Sequence, residues 1–390
     1  MISVSEALSI ISKISYIPEQ KIILLKDAHE LILSEDIFSP IDMPPFRQSA
    51  MDGYALCMNS GNSYEIIEEI QAGTDKNPKL LPGQGARIFT GARVPDAADT
   101  IVIQEKVTRI ENNITILDTI SANQNIRPTS EQIQKGQVAL TEGTKLTPAA
   151  IGFIAGLGID KVAVYTPPKI AVITTGNELL KPGTKLTDGK VYESNSIQLD
   201  AALQQLQIKE ITHYKVQDEY QSTKNIINQA IQNHDIVLIS GGISVGDYDF
   251  VQQALSELGT EQLFYKIKQK PGKPLFFGKN KKTFIFALPG NPASSLTCFY
   301  IYVLPFVLKT MGARSNGLRR TTKLLTTTFT KKGDRAQFLK ANVSDDAVTI
   351  LEGQSSSMLY TYAIANALVY VPENKNTISP GEKVETILLP

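Results

Sequence analysis

Asp235-Ile-Val-Leu-Ile-Ser-Gly-Gly-Ile-Ser-Val-Gly-Asp-Tyr-Asp-Phe250 is the stretch whose reading decides the fold. Ile236–Ile239 form an apolar run too short for a helix and without a polar face, which predicts a strand buried on both sides of a parallel sheet. The chain then opens into Ser240-Gly241-Gly242, where absent side chains let backbone N–H groups approach an anion. Asp247 and Asp249 follow, and Val251, Ala254, Leu255 and Leu258 begin a helical pattern. Donors and carboxylates at the carboxyl end of a buried strand are what a phosphate ester and its Mg²⁺ require. The alternative is structural: Asp249 caps the helix and Gln252 completes a capping box.

Moving outward, strands and helices alternate from Lys169 onward. Ile170–Thr174 reads as a buried strand running into Thr175-Gly-Asn-Glu178. Asn195–Leu206 reads as a helix, and Ile211–Val216 as a strand ending at Gln217-Asp218-Glu219. Ile226, Ile227, Ala230 and Ile231 mark another helix. Phe284–Leu288 is a further strand, followed by Pro289-Gly-Asn-Pro292 and an apolar helix through Leu308. This rhythm predicts a parallel α/β domain. Glu178, Asp218, Asp249 and Asn291 each follow the carboxyl end of a different strand, and in such sheets those ends share one ligand-binding crevice. Lys266-Ile-Lys-Gln-Lys270-Pro-Gly-Lys-Pro274 reads as a stiff cationic turn suited to an oxyanion, or as a solvated basic hairpin.

Toward the N-terminus, Ser3 and Glu6 form a capping box before an apolar-faced helix, and a second short helix is expected over Leu25–Leu33. Ser39–Phe46, with two adjacent prolines, reads as a linker. From Tyr64 to Asp118 short strands alternate with turns, suggesting an inserted β domain in which Asp52 and Thr90 are turn residues on composition alone. Pro148–Gly158 reads as a helix that should pack with the N-terminal helices. Beyond Asn316 the short strands indicate a C-terminal β domain. The expected division is 1–45 plus 125–167, 46–124, 168–315 and 316–390, a length ample for several cores.

Equal numbers of basic and acidic side chains, 39 each, argue against a general nucleic-acid binder. Cys57 and Cys298 are too far apart in sequence to suggest a disulfide framework or zinc site, and both read as packing residues. The N-terminus lacks a signal-peptide pattern, and no apolar run reaches about 18 residues, so a cytoplasmic protein without a membrane span is expected.

Six ordered motifs then carry a family resemblance. They are Pro44-Pro-Phe-Arg-Gln-Ser-Ala-Met-Asp-Gly-Tyr-Ala55, Arg87-Ile-Phe-Thr-Gly-Ala92 and Thr175-Gly-Asn-Glu-Leu179. Ser240–Asp249, Lys270-Pro-Gly-Lys-Pro274 and Leu288-Pro-Gly-Asn-Pro292 complete the set. In this order they closely resemble the bacterial molybdopterin molybdenumtransferases, relatives of the gephyrin E domain. The resemblance implies a multidomain α/β and β subunit. Its central parallel α/β domain would be molybdopterin-binding and of MogA/MoaB type, beside an inserted β domain, a helical and extended linker domain and a C-terminal β-barrel-like domain. It further implies a homodimer whose cleft is completed across the dimer. The implied reaction inserts molybdate into adenylylated molybdopterin with Mg²⁺, releasing AMP and the molybdenum cofactor.

By that resemblance Glu178 and Asp249, with Asp247 beside them, would hold Mg²⁺ through hard oxygen ligands. Lys266, Lys270 and Lys273 would neutralise phosphate and molybdate. Asp52 and Thr90 would close the cleft, and Asp218 matches another functional acidic position. Ser240, Gly241, Gly242, Ser244, Pro289, Asn291 and Pro292 would bind substrate. Ser294, Arg335 and Ser356 match molybdate-pocket positions. A molybdopterin adenylyltransferase and apo-molybdoenzymes would be protein partners, with neither nucleic acid nor membrane involved. Two departures stand out: Gln132 and Asn177 occupy positions where the family commonly carries acidic residues. Competing readings are the preceding adenylyl transfer, which needs neither the Asp52 and Thr90 segments nor the C-terminal domain, and a non-catalytic scaffold.

Overall fold

The computed structural model describes residues 1–243, 250–314 and 317–390. Its centre is a six-stranded sheet in the order Ile211–Val216, Ile170–Thr175, Ile236–Ser240, Thr283–Leu288, Phe276–Asn280, Glu261–Tyr265. The first four strands run parallel, and Phe276–Asn280 pairs antiparallel with both its neighbours. Period-two alternation splits every central strand between two cores. Ile170, Val172, Ile236, Leu238, Phe284 and Phe286 face one side. Ala171, Ile173, Val237, Ile239, Ile285 and Ala287 face the other. Both faces are covered, which is why these strands show no polar alternation.

Helix Asn195–Gln204 covers the first face through Leu199, Ala202 and Leu203. Helices Tyr220–Asn233 and Val251–Glu257 cover the second through Ile227, Ala230, Ile231, Val251, Ala254 and Leu255. The connections leaving adjacent strands Ile170–Thr175 and Ile236–Ser240 therefore diverge to opposite faces, and a crevice opens between their carboxyl ends.

The helical run Pro292–Thr310 returns over the first face, with a π-helical turn at Phe299–Val303. Among the described residues it is the one helix long and apolar enough to cross a membrane, yet 78% of it is buried in the protein. Phe299 and Phe306 are fully buried, each contributing about 1.5–3 kcal/mol of apolar burial. The N-terminal helix Val4–Lys13 has the expected Ser3–Glu6 capping box. Its buried face, Val4, Ala7 and Ile11, joins this same α/β core.

Of the two expected N-terminal partners, helix Pro148–Gly156 packs on the second segment, through Leu25, Ala28 and Leu33 with Val162, and shares no core with the helix Val4–Lys13, so its expected packing on that first helix is corrected. The helix expected over Leu25–Leu33 is corrected as well: only a 3₁₀ turn, Leu25–Asp27, forms. Gln20–Leu24 is instead a strand paired with Lys161–Tyr165. Glu30 adopts φ 67°, and Ile32 and Leu33 bridge to Lys145 and Val164. Tertiary strand pairing overrides a local pattern that leucines satisfy equally well as helix.

The chain leaves and returns along paired ribbons. Ile37–Phe38 pairs with Val138–Leu140, and Gln48–Ser49 with Ile126–Arg127. Between them lies a six-stranded sheet, Thr100–Ile103, Gly53–Leu56, Gln84–Ile88, Ser63–Ile70, Asn113–Ile116 and Val107–Ile110 in spatial order. At the C-terminus, Ala336–Ser344, Ala347–Ile350, Arg320–Leu325, Lys383–Leu388 and Ala367–Val371 pair in sequence, and Ala367–Val371 pairs back to the first. Closure into a barrel leaves these strands without free edges.

Candidate active site

A cavity of about 680 Å³ opens at the carboxyl ends of the parallel strands. Ile170–Thr175 delivers Thr174 and Thr175, then Gly176 and Glu178; Ile236–Ser240 delivers Ser240, Gly241, Gly242 and Ile243. Gly241 and Gly242 hold φ of 96° and 63°, backbone that glycine adopts without penalty. A Cβ on Gly241 would lie 2.8 Å from Thr175 Oγ1 and 2.9 Å from Thr175 O. Only glycine keeps this wall open. Thr175 Oγ1 is buried and has no hydrogen-bond partner among the described residues, so a polar group remains for a ligand to satisfy.

Side chains on other elements brace these strand ends. Asn195 Nδ2 donates to Ser240 Oγ (2.8 Å) and to Gly290 O (2.7 Å). Gln198 Nε2 donates to Asn195 Oδ1 (3.0 Å) and Pro292 O (3.1 Å). Pro289, Gly290, Asn291 and Pro292 line the cavity from the next strand end.

Three described carboxylates line it: Glu178, Glu193 and Asp218. Glu193 Oε1 accepts from Ser196 N–H (2.8 Å), which commits it to the start of its helix. Asp218 Oδ2 accepts from Asn177 N–H (3.0 Å), while Asp218 N–H donates to Asn177 Oδ1 (3.2 Å). Asn177 uses only its oxygen and main chain here, so an aspartate would make the same two links. Glu178 has no side-chain hydrogen bond among the described residues and remains open toward the cavity.

A loop from the C-terminal barrel reaches this wall. Ser357 lines the cavity, Asn291 Nδ2 donates to Ser356 Oγ (3.0 Å), and the buried Ser294 donates its N–H to Ser356 O (3.2 Å). Arg335 is more loosely tied, with Nη1 3.5 Å from Gln269 O.

The lysines do not line this cavity. Lys266 Nζ sits 4.6 Å from the Tyr265 ring centroid. Lys273 is exposed beside Pro274, which does line the cavity. Lys270 belongs to a separate cavity of about 210 Å³ against the barrel, with Lys332, Gln337 and Gln354. Asp52 and Thr90 lie on the inserted sheet and bind each other: Thr90 N–H and Oγ1–H donate to Asp52 Oδ1 at 2.8 and 2.7 Å. Those two donors, with a smaller pull from Arg87, hold the Asp52 carboxyl below the usual carboxylate range. Ser244, Asp247 and Asp249 lie outside the described residues.

Sequence reasoning missed Thr175, Glu193, Asn195 and Ser357 as wall residues. Asn195 had a signal: an uncharged polar side chain opening a helix directly after a strand-rich segment. Ser357 had none, because its approach depends on how the barrel packs.

Three family models match in order. They describe a MoeA N-terminal region (domain I and II) over residues 2–158, a "probable molybdopterin binding domain" over 171–309, and a MoeA C-terminal region (domain IV) over 323–389. The chain is 32% identical to a molybdopterin molybdenumtransferase of Haemophilus influenzae, across 92% of this chain and 91% of that one. The chain belongs to the molybdopterin molybdenumtransferase family. A Staphylococcus aureus member is also 32% identical, over 99% of this chain and 95% of the relative. A crystal structure of a molybdopterin biosynthesis MoeA protein from Pyrococcus horikoshii superposes with a TM-score of 0.84 at 30% identity, covering 100% of this chain and 99% of that chain. The strand-end cavity falls within the segment matched by the molybdopterin binding model, and Ser356 and Ser357 within the C-terminal match.

Proposed function

We propose that this family member inserts molybdate into adenylylated molybdopterin, releasing AMP and the molybdenum cofactor. The observation that supports it most is the meeting of Thr175, Ser240–Gly242, Glu178, Asp218 and Pro289–Pro292 in one strand-end cavity. Glycines and an unsatisfied hydroxyl suit a phosphate-bearing ligand, since bare N–H groups can approach its oxygens.

Mg²⁺ fits the donor set on one condition. No cluster of three or more His, Cys, Asp or Glu among the described residues could hold a metal. Mg²⁺, however, commonly takes one or two carboxylates and completes its shell with water and substrate phosphates. Glu178 and Asp218 would hold such a shared ion, with Asp247 and Asp249 added from the sequence; when bound, it would polarise the phosphoanhydride linkage. Gly241 and Gly242 give the ligand its approach, and Asn195 fixes the two strand ends it spans. Asn291 lines the side of the cavity where molybdate enters, with Ser356 bonded to it and Ser294 to Ser356, and Lys273, next to the lining residue Pro274, contributes positive charge. Asp52 and Thr90 act on the cleft of a homodimer. The protein partners are the adenylyltransferase supplying substrate and the apo-enzymes receiving product, in the cytoplasm.

The test is AMP release from adenylylated molybdopterin with Mg²⁺, with and without molybdate. Molybdate-dependent release, reduced at least about 100-fold in Glu178→Gln, supports the proposal. Tight substrate binding without release would sink it in favour of a scaffold.

A further inference from the structure

Lys340 lies in the middle of barrel strand Ala336–Ser344 and is 2% exposed. Its Nζ donates to Gly353 O (2.9 Å), Ser355 O (3.2 Å) and Met358 O (3.2 Å). An ammonium has three donors, and a single loop takes all three. The main chain of Lys340 clamps the same loop. Its N–H donates to Gln354 Oε1 (3.0 Å), and its carbonyl accepts from Gln354 Nε2 (2.8 Å). Thr361 Oγ1 closes the turn on Gly353 O (2.9 Å). Among the described residues no carboxylate makes an ion pair with Lys340, so its charge is met by carbonyl dipoles alone.

This loop is the barrel segment that reaches the strand-end cavity. Between the carbonyls that Lys340 gathers sit Ser356, bound to Asn291 and Ser294, and Ser357 on the cavity wall. Turning the carbonyls of Gly353, Ser355 and Met358 toward a buried cation fixes the rotation of the intervening peptides. Without the cation Met358 O would lose its donor among the described residues, Gly353 O and Ser355 O would keep only Thr361 Oγ1 and Met358 N–H, and the loop would have to open to rehydrate the converging oxygens.

We propose that Lys340 is a positioning residue for the transfer reaction: its ammonium folds the 353–358 loop into a fixed wall that holds Ser356 and Ser357 against the molybdate side of the cavity. This rests on the reading under Proposed function. The barrel supplies an internal control. Lys331 is also buried, 5% exposed, and its Nζ donates to Pro372 O (2.8 Å) and Glu373 O (2.6 Å), neither of which lines the cavity.

The experiment compares Lys340→Met, Lys340→Arg and Lys331→Met in the full chain by two readouts. Amide hydrogen exchange over 353–358 should accelerate in Lys340→Met and stay near wild type in Lys331→Met. The KM for molybdate in AMP release should rise about tenfold or more in Lys340→Met with little change in the KM for adenylylated molybdopterin, since misplacing a site by about 1 Å can cost 100-fold. Lys340→Arg, which keeps the cation, should recover part of that loss. Unchanged exchange over 353–358 in Lys340→Met overturns the anchoring itself, whatever reaction the protein runs. Faster exchange with an unchanged molybdate KM, or an equal KM rise in Lys331→Met, overturns the positioning role. A wild type lacking molybdate-dependent release overturns the functional reading, and the positioning claim falls with it, while the exchange result still decides whether Lys340 anchors the loop.

Discussion

Gly241→Ala tests the geometry of the strand-end wall directly. Alanine at φ 96° costs about 1–2 kcal/mol of left-handed strain. Its Cβ would stand 2.8 Å from Thr175 Oγ1, a side chain that could rotate, and 2.9 Å from Thr175 O, which cannot without moving its strand. Overpacking of that kind adds about 1–3 kcal/mol. The sum, about 2–5 kcal/mol, is large beside a typical domain stability of about 5–15 kcal/mol, yet leaves a foldable protein. Gly290→Ala is the matched control. Its Cβ would meet only Gly241 Cα, at 3.6 Å, an ordinary contact, so a change within about 0.5 kcal/mol is expected. Because the chain has no tryptophan, urea unfolding is best followed by circular dichroism. A loss below about 1 kcal/mol in Gly241→Ala, or equal losses in both variants, would refute the strained-cradle reasoning.

Further outcomes follow from other contacts. Asn195→Ala removes the donor shared by Ser240 Oγ and Gly290 O and should cost about 1–3 kcal/mol in urea unfolding while weakening substrate binding in a direct titration. Glu257, on the helix after the organising strand, has its carboxyl pulled down to about 2 by Lys224 first, then Tyr220 and Gln253. A depressed carboxylate stabilises fully above its ordinary value and loses that contribution as pH falls from about 4.5 through about 2. Glu257→Gln should therefore show a shallower loss of thermal stability across that window than wild type. Burial in an apolar core pushes the Cys298 thiol upward, so an aromatic disulfide reagent should modify Cys57 in the native protein and Cys298 only on unfolding.

The central sheet was legible because burial on both faces leaves unbroken runs such as Ile236–Ile239, and because strand ends in such a sheet can only converge on one edge. Glu178, Asp218 and Asn291 were placed together by that rule, and the cavity contains all three. The Leu25–Leu33 helix misled because strand pairing with residues more than a hundred positions away, such as Ile32 with Lys145, leaves no local trace. The lysine motif misled in another way. Gln269–Lys270 forms a short strand on the barrel's Ala336–Ser344, which draws Lys270 away from the strand-end cavity, and no spacing within the motif encodes that partner. Lys340 was invisible for the same reason, since a lone lysine in a strand normally reads as solvent-facing.

The paired ribbons below the inserted sheet have an engineering consequence. Ser49 and Ile126 are direct antiparallel partners, so their Cα atoms stand only about 4.5–5.5 Å apart. Everything between them is a cassette with adjoining exit and entry points, which a tight two-residue turn could replace at the loss of the Ser49 backbone bonds to Gly91 and Ala92. The excised chain would keep the strand-end cavity and the barrel loop while losing the bonded pair Asp52 and Thr90, so one deletion would separate the contributions of the two parts.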